Sequence, residues 1–281
     1  MLQRKPDAGT ADTQLGQVHD LPALVLHFHL FAGVALELLA ADLGNQVEGD
    51  LVGEHLGLVG LAVAQGLHHG IISNPNCSTI ITVTAVNALN KLSPIRTMTA
   101  STYQAVSGAG AGGPIELMNE VEALREGKTY EPKVFSHQIA YNLIPQIGGE
   151  QFEGYTSEEM KMQNEGRKIM HLPELRVSCT CVRVPVVRSH SISVSVHFDK
   201  PVTVEQAREV LKDAPGVKLV DDLKNKQYPM PLDTSDQDIV FVGRIRPDLT
   251  DDNGLCLWCC GDQVRKGAAT NAIQIAELLV K

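Results

Sequence analysis

The stretch Ser73-Asn74-Pro75-Asn76-Cys77-Ser78-Thr79-Ile80 decides how the chain is read. It follows the apolar pair Ile71 and Ile72 and runs into an apolar-periodic segment through Val83, Val86 and Leu89. That order predicts a strand, a tight turn and a helix, with Cys77 near the helix start. Backbone N–H groups without partners and the helix dipole favour a thiolate at such a position. A buried structural cysteine is the other reading, since free Cys is among the most buried residue types.

Working outward, Ile95 to Tyr103 is rich in β-formers and predicts a strand. Gln104-Ala105-Val106-Ser107-Gly108-Ala109-Gly110-Ala111-Gly112-Gly113 follows as a glycine-rich turn, and Pro114 to Leu124 reads as a helix. Such glycines let backbone N–H groups approach a phosphate or a nicotinamide amide, or serve the loop's conformation alone. Tyr130 to Glu153 is loop-rich. Ser157 reads as the cap of a helix running to about Met170, on which Glu158 and Lys161 share a face, an ordinary surface ion pair on spacing alone.

Leu175 to Val187 predicts a strand with Val177, Cys179, Cys181 and Arg183 on one face. A guanidinium among small and thiol side chains calls for an anionic partner. His190 stands at the start of an alternating strand, Ser191 to His197. Val204 to Leu211 reads as a helix capped by Thr203, and Gly216 to Asp221 as a short strand. Ile239 to Arg246 and Gly254 to Cys260 read as an antiparallel pair. Lys266 to Leu279 reads as a helix with a small apolar stripe of Ala269, Ala272, Ile273, Ala276 and Leu279.

The chain has 281 residues, a formal net charge of −9 and six cysteines. The charge argues against a polyanion partner such as nucleic acid, though a local basic pocket for a small phosphate remains compatible with it. Adjacent Cys259 and Cys260, with no secretory signal, fit free thiols in a reducing cytoplasm. No uninterrupted apolar run of membrane-spanning length occurs. Neither the CxC of Cys179 and Cys181 nor the histidines of the first 69 residues (His19, His27, His29, His55, His68, His69) make a closed ligand set, so no metal is expected.

Taken together, SNPNCST, TYQAVSGAG, HQIAYNLIPQIG, KMQNEGRKI, RVPVVRSHS and RKGAATNAIQIAE occur in an order that resembles the bacterial type of aspartate-semialdehyde dehydrogenase. The resemblance covers about residues 70 to 281. It implies an α/β fold: an α+β catalytic and dimerisation domain over 70–262, and a C-terminal helix over 263–281 that returns to a Rossmann-like NADP-binding domain. By resemblance, Cys77 is the nucleophile that forms the acyl-enzyme, Asn76 precedes it, and Gln104 positions the substrate. Arg183 holds the substrate α-carboxylate, Glu158 its α-amino group, and Lys161 belongs to the phosphate site. His190 is the acid-base group, Ser107 and Gly108 are backbone positions near the cofactor, and Gln263 closes over its nicotinamide end. The reaction implied is NADP-dependent reductive dephosphorylation of L-aspartyl 4-phosphate to L-aspartate 4-semialdehyde. That reaction serves lysine, threonine, methionine and diaminopimelate biosynthesis, and the family enzyme is a cytoplasmic homodimer. The rival readings are an N-acetyl-glutamyl-phosphate reductase and a non-catalytic dimerisation module.

Residues 1–69 depart from the family pattern. They carry no glycine-rich dinucleotide fingerprint, and after Lys5 neither Lys nor Arg occurs until Lys91. We expect this segment not to be the native dinucleotide-binding domain and the chain not to bind NADPH saturably. The apolar stripe of the last helix is then expected to lie uncovered.

Overall fold

The computed structural model describes residues 72–279. The expectations for residues 1–69, their histidines included, concern residues outside those described. So does Ile71; Ile72 to Asn76 has no regular secondary structure, so no strand before the turn is found among the described residues.

Helix α1 (Cys77–Asn90) begins at Cys77 itself, and ten of its residues, among them Ile80, Ile81, Val83, Val86 and Leu89, are buried. A helix buried on nearly all sides belongs in the centre of a core. Strand β1 (Ile95–Gln104) leads into a single 3₁₀ turn (Val106–Ala109), and α2 (Gly112–Arg125) follows. The long connection ends in the small hairpin of β2 (Glu150–Phe152) and β3 (Tyr155–Thr156), after which α3 spans Ser157–Ile169. Then come β4 (Arg176–Arg183), β5 (His190–Phe198), α4 (Val204–Lys212), β6 (Val217–Leu219), α5 (Pro231–Thr234), β7 (Val240–Pro247) and β8 (Gly254–Gly261).

The six longer-range strands form one mixed sheet in the order β4-β1-β5-β8-β7-β6. The edge pairs β1–β4 and β6–β7 are parallel and the central pairs antiparallel. Helices α1, α3 and α4 pack on its core face. There Met98, Ala100, Thr102 and Gln104 of β1 lie beside Cys179, Cys181 and Arg183 of β4 and Ile192, Val194 and Val196 of β5, all buried. The opposite face carries Thr97, Thr99 and Ser101 of β1 and Ser193, Ser195 and His197 of β5, half-buried or exposed. A sheet with one apolar and one hydroxyl-rich face has the alternation expected of strands covered on one side only.

Two expectations are corrected. The cap of α3 is Thr156, not Ser157: Thr156 is extended (φ −81°, ψ 162°) and forms a reciprocal capping box with Glu159, whereas Ser157 is already helical. The last helix is not continuous from Lys266. A π-turn (Arg265–Ala269) precedes α6 (Thr270–Leu279), and its wider winding brings Gly267 against Cys77. A Cβ on Gly267 would stand 3.1 Å from the Cys77 Cβ. Of the expected apolar stripe, Ala269 and Ile273 are exposed and Ala272 and Ala276 half-buried; Ile275, outside that stripe, is buried. No helix among the described residues is long and apolar enough to cross a membrane.

Candidate active site

Asn76 builds the entrance to α1. It is extended (φ −60°, ψ 143°), and its Oδ1 accepts hydrogen bonds from the N–H groups of Ser78 at 3.0 Å and Thr79 at 3.2 Å. Capping of this kind fixes the first turn, and with it the Cys77 side chain. The Asn76 Nδ2 donates to Glu158 Oε1 at 2.9 Å, and the same oxygen accepts from Gln104 Nε2 at 3.2 Å. Lys161 Nζ lies 3.6 Å from the other Glu158 oxygen, with the lysine half-exposed and the glutamate largely covered. The face shared by Glu158 and Lys161 is therefore turned toward the start of α1, not toward bulk solvent alone.

Strand ends supply the remaining groups. Gln104 ends β1, Arg183 ends β4 as its register partner, and His190 opens β5. Arg183 is 6% exposed; its Nη1 donates to the Ala105 carbonyl at 2.7 Å, and its guanidinium carbon lies 5.7 Å from the centre of the Phe135 ring. The ion pairs among the described residues do not include it. A guanidinium buried without a carboxylate is costly, and a site that binds an anion recovers that cost. His190 is fully buried, its Nδ1 accepts from the Ala105 N–H at 3.1 Å, and its Nε2 has no partner. Because a backbone N–H can only donate, the neutral ring carries its proton on Nε2, the nitrogen left free.

The charges correct one expectation. Burial, helped by the Glu158 carboxylate, pushes the Cys77 thiol up to about 12, against the opposing pull of the Arg183 guanidinium. The helix start does not make a resting thiolate here, because burial and a neighbouring anion outweigh it. Burial also lowers the Arg183 pKa, with Cys77, Glu158 and Cys181 acting the other way. Burial first, and Arg183 second, hold the His190 pKa well below 6.5, so the ring is neutral near pH 7.

Ser107, Gly108 and Gln263 form an adjoining wall. Ser107 Oγ donates to the Val187 carbonyl at 2.6 Å and accepts from Gln263 Nε2, and Gln263 Oε1 accepts from the Ser189 N–H at 2.9 Å. Gln263 is buried with both ends of its amide engaged, so it holds the Ser107 turn in place. Gly108 is exposed, and a Cβ there would lie 2.9 Å from Arg183 Nη1 and from His190 Cε1. The structure thus groups Asn76, Cys77, Gln104, Glu158 and Lys161 with Arg183, His190 and Gly108. Sequence reasoning missed the Ala105 N–H, Phe135, Gly267 and Glu165, whose carboxylate accepts the Asn76 N–H at 2.9 Å. Only Glu165 left a legible signal, seven positions after Glu158 on the same helix. Among the described residues no His, Cys, Asp and Glu cluster suited to a metal occurs.

Residues 86–266 match the family described as semialdehyde dehydrogenase, dimerisation domain. The aspartate-semialdehyde dehydrogenase of Synechocystis is 48% identical over 214 residues, which is 76% of this chain and 63% of that protein's length. The crystal structure of aspartate semialdehyde dehydrogenase II from Vibrio cholerae complexed with ASA superposes with a TM-score of 0.75 at 43% identity, covering 78% of this chain and 65% of that one. The Candida albicans enzyme with NADP gives a TM-score of 0.56 at 25% identity over 79% of this chain and 63% of its own. The chain therefore spans less than two thirds of the length of these relatives. The match over residues 86–266 covers most of the chain and contains the sheet that sets out Gln104, Arg183 and His190, so the chain belongs to the semialdehyde dehydrogenase family.

Proposed function

We propose that this chain carries the thiol and substrate-binding half of an aspartate-semialdehyde dehydrogenase, acting on L-aspartyl 4-phosphate. The observation that carries the reading is a buried, carboxylate-free Arg183 beside Cys77, with the free Nε2–H of His190 in the same site. Arg183 binds the substrate α-carboxylate, and Glu158 binds its α-amino group. Cys77 Sγ attacks the acyl carbon, its proton passes to the departing phosphate as the acyl–phosphate bond breaks, and a thioester remains. The His190 Nε2–H donates to the acyl oxygen as negative charge develops there, a neutral imidazole acting as an electrophile. Lys161, on the half-exposed side, meets the phosphate.

The exposed backbone at Gly108, which a side chain would close off, fits the nicotinamide end of NADP(H), with Ser107 held for it by Gln263. When bound, that cofactor supplies the hydride that takes the acyl group to the aldehyde. Glu158 favours this reading over the N-acetyl-glutamyl-phosphate reductase, whose substrate presents no ammonium group to a carboxylate. The hydroxyl-rich outer face of the sheet would receive a second copy in a homodimer.

The test requires no cofactor. Incubation with L-aspartyl 4-phosphate should release one equivalent of phosphate and leave an aspartyl thioester on Cys77, seen by intact mass and lost in Cys77→Ser. Absence of the adduct, or equal acylation by N-acetyl-glutamyl phosphate, overturns the assignment.

A further inference from the structure

Helix α3 grips a single residue with two carboxylates. Glu158 and Glu165 stand two turns apart on one face, and both reach Asn76. Glu158 Oε1 takes the side-chain amide, and Glu165 Oε2 takes the backbone N–H, each at 2.9 Å. With the Asn76 Oδ1 on the N–H groups of Ser78 and Thr79 and its carbonyl accepting from the Ile80 N–H at 2.9 Å, every polar group of Asn76 is engaged. Three of those four are satisfied by α1 or by Glu158. The fourth, the N–H that fixes the peptide plane between Pro75 and Asn76, is held by Glu165 across 89 positions of sequence.

We infer that Glu165 is a positioning residue for the nucleophile: by holding the Asn76 N–H it sets the cap of α1 and, with it, the first turn that presents the Cys77 thiol. The inference rests on the reading of Cys77 as the nucleophile. Three features make the link specific. The Asn76 N–H points away from α1, so the helix cannot satisfy it. Asn76 is immediately next to Cys77, so any rotation of its peptide is passed to the thiol at once. The Asn76 side chain caps the Ser78 and Thr79 N–H groups, so the orientation of Asn76 sets the first turn that carries Cys77. Burial raises the Glu165 pKa against the Asn76 N–H bond, which agrees with a carboxylate kept in a covered place for its acceptor oxygen and not for a solvent-facing charge.

The test separates the hydrogen bond from the charge. Near pH 8, far below the thiol's pKa of about 12, the iodoacetamide rate follows the thiolate fraction. The rate at Cys77 is measured in the full chain and corrected by the Cys77→Ser background. Glu165→Gln removes the charge and keeps an acceptor for the Asn76 N–H, so its rate stays within about twofold of wild type. Glu165→Ala and Glu165→Met both remove the acceptor, the second with side-chain volume retained, and should react roughly threefold to tenfold more slowly than Glu165→Gln. The methionine variant keeps the comparison available if the alanine variant does not fold. Equal rates for Gln and Met, or a Gln variant as slow as Met, overturn the inference. A wild-type Cys77 no faster than the Cys77→Ser background overturns instead the nucleophile reading on which it rests.

Discussion

The backbone N–H of Ala105 donates to Nδ1 of His190 at 3.1 Å, which leaves the ring's only proton on Nε2. An imidazolium would have to place a second N–H against the Ala105 N–H, in a buried site already facing Arg183. For His190 to take a proton from Cys77, the ring must turn over or surrender this bond. Imidazole ¹⁵N spectra of the full chain should therefore show a neutral Nε2–H tautomer for His190 at pH 7, and a Nδ1–H tautomer would contradict the donor role.

The same burial links His190 to acid stability. Its folded pKa lies below 6.5, so as pH falls below 6.5 the unfolded chain takes up a proton that the folded chain does not. Stability is then lost on acidification at a slope approaching about 1.4 kcal/mol per pH unit for this one group. Urea unfolding at several pH values should give a shallower acid slope for His190→Gln than for wild type.

Cys77 should behave as a thiol with its pKa pushed to about 12, so its alkylation rate should rise across the neutral to mildly alkaline range without a plateau. Glu158→Gln removes an anion that raises this pKa and should speed alkylation by about threefold or more. Arg183→Met removes the opposing cation and should slow it by a similar factor. Since burial is the largest cause, neither variant should reach the rate of an ordinary exposed thiol.

Two buried glutamates on α2 should respond differently to the same substitution. Glu116 accepts three backbone N–H groups with both oxygens, from Lys133 and Val134 at 2.7 Å and from Phe135 at 3.0 Å. Glutamine there must turn an NH₂ toward a donor, at about 2–3 kcal/mol. Glu120 uses one oxygen for Ile139 and Ala140, at 2.8 and 2.7 Å, and its other oxygen has no partner. A glutamine can place its NH₂ in that vacant direction, so Glu120→Gln should cost about 1 kcal/mol or less. Urea midpoints of the two variants check the contrast.

Glycine substitutions separate fold from site. A Cβ on Gly113 would stand 2.0 Å from the Val106 carbonyl oxygen, a backbone atom, and Gly113→Ala should destabilise by about 2–3 kcal/mol. A Cβ on Gly108 would meet the side chains of Arg183 and His190. Gly108→Ala should leave stability within about 1 kcal/mol and reduce acylation by aspartyl phosphate by about tenfold, measured as phosphate release.

Local patterns announced the parts of the site that local rules govern. Alternation along 176–183 placed Cys179, Cys181 and Arg183 together on the buried face, and the spacing of Glu158 and Lys161 put them on one side of α3. The state of the Cys77 thiol is not legible locally, because a helix dipole can be read from neighbouring residues, whereas burial and the approach of Glu158 come from elements far along the chain. The π-turn at 265–269 has the sequence of an ordinary helix, because its apolar periodicity is compatible with either winding. Only the contact of Gly267 with Cys77 distinguishes them. Contacts made by backbone groups, such as the Ala105 and Asn76 N–H, have no residue signature at all.

Gln104 and Arg183 face each other across one parallel ladder, and His190 starts the strand on the other side of β1. The site therefore measures length more strictly than composition. Substituting the outward Thr99 or Ser101 leaves each spacing intact. A single residue inserted between Ile95 and Gln104 reverses which way every later side chain faces, and sends Gln104 to the hydroxyl-rich surface while Arg183 stays behind. Drift in this chain should thus be tolerated as exchanges along the strands, with insertions confined to exposed turns such as 126–129 after α2.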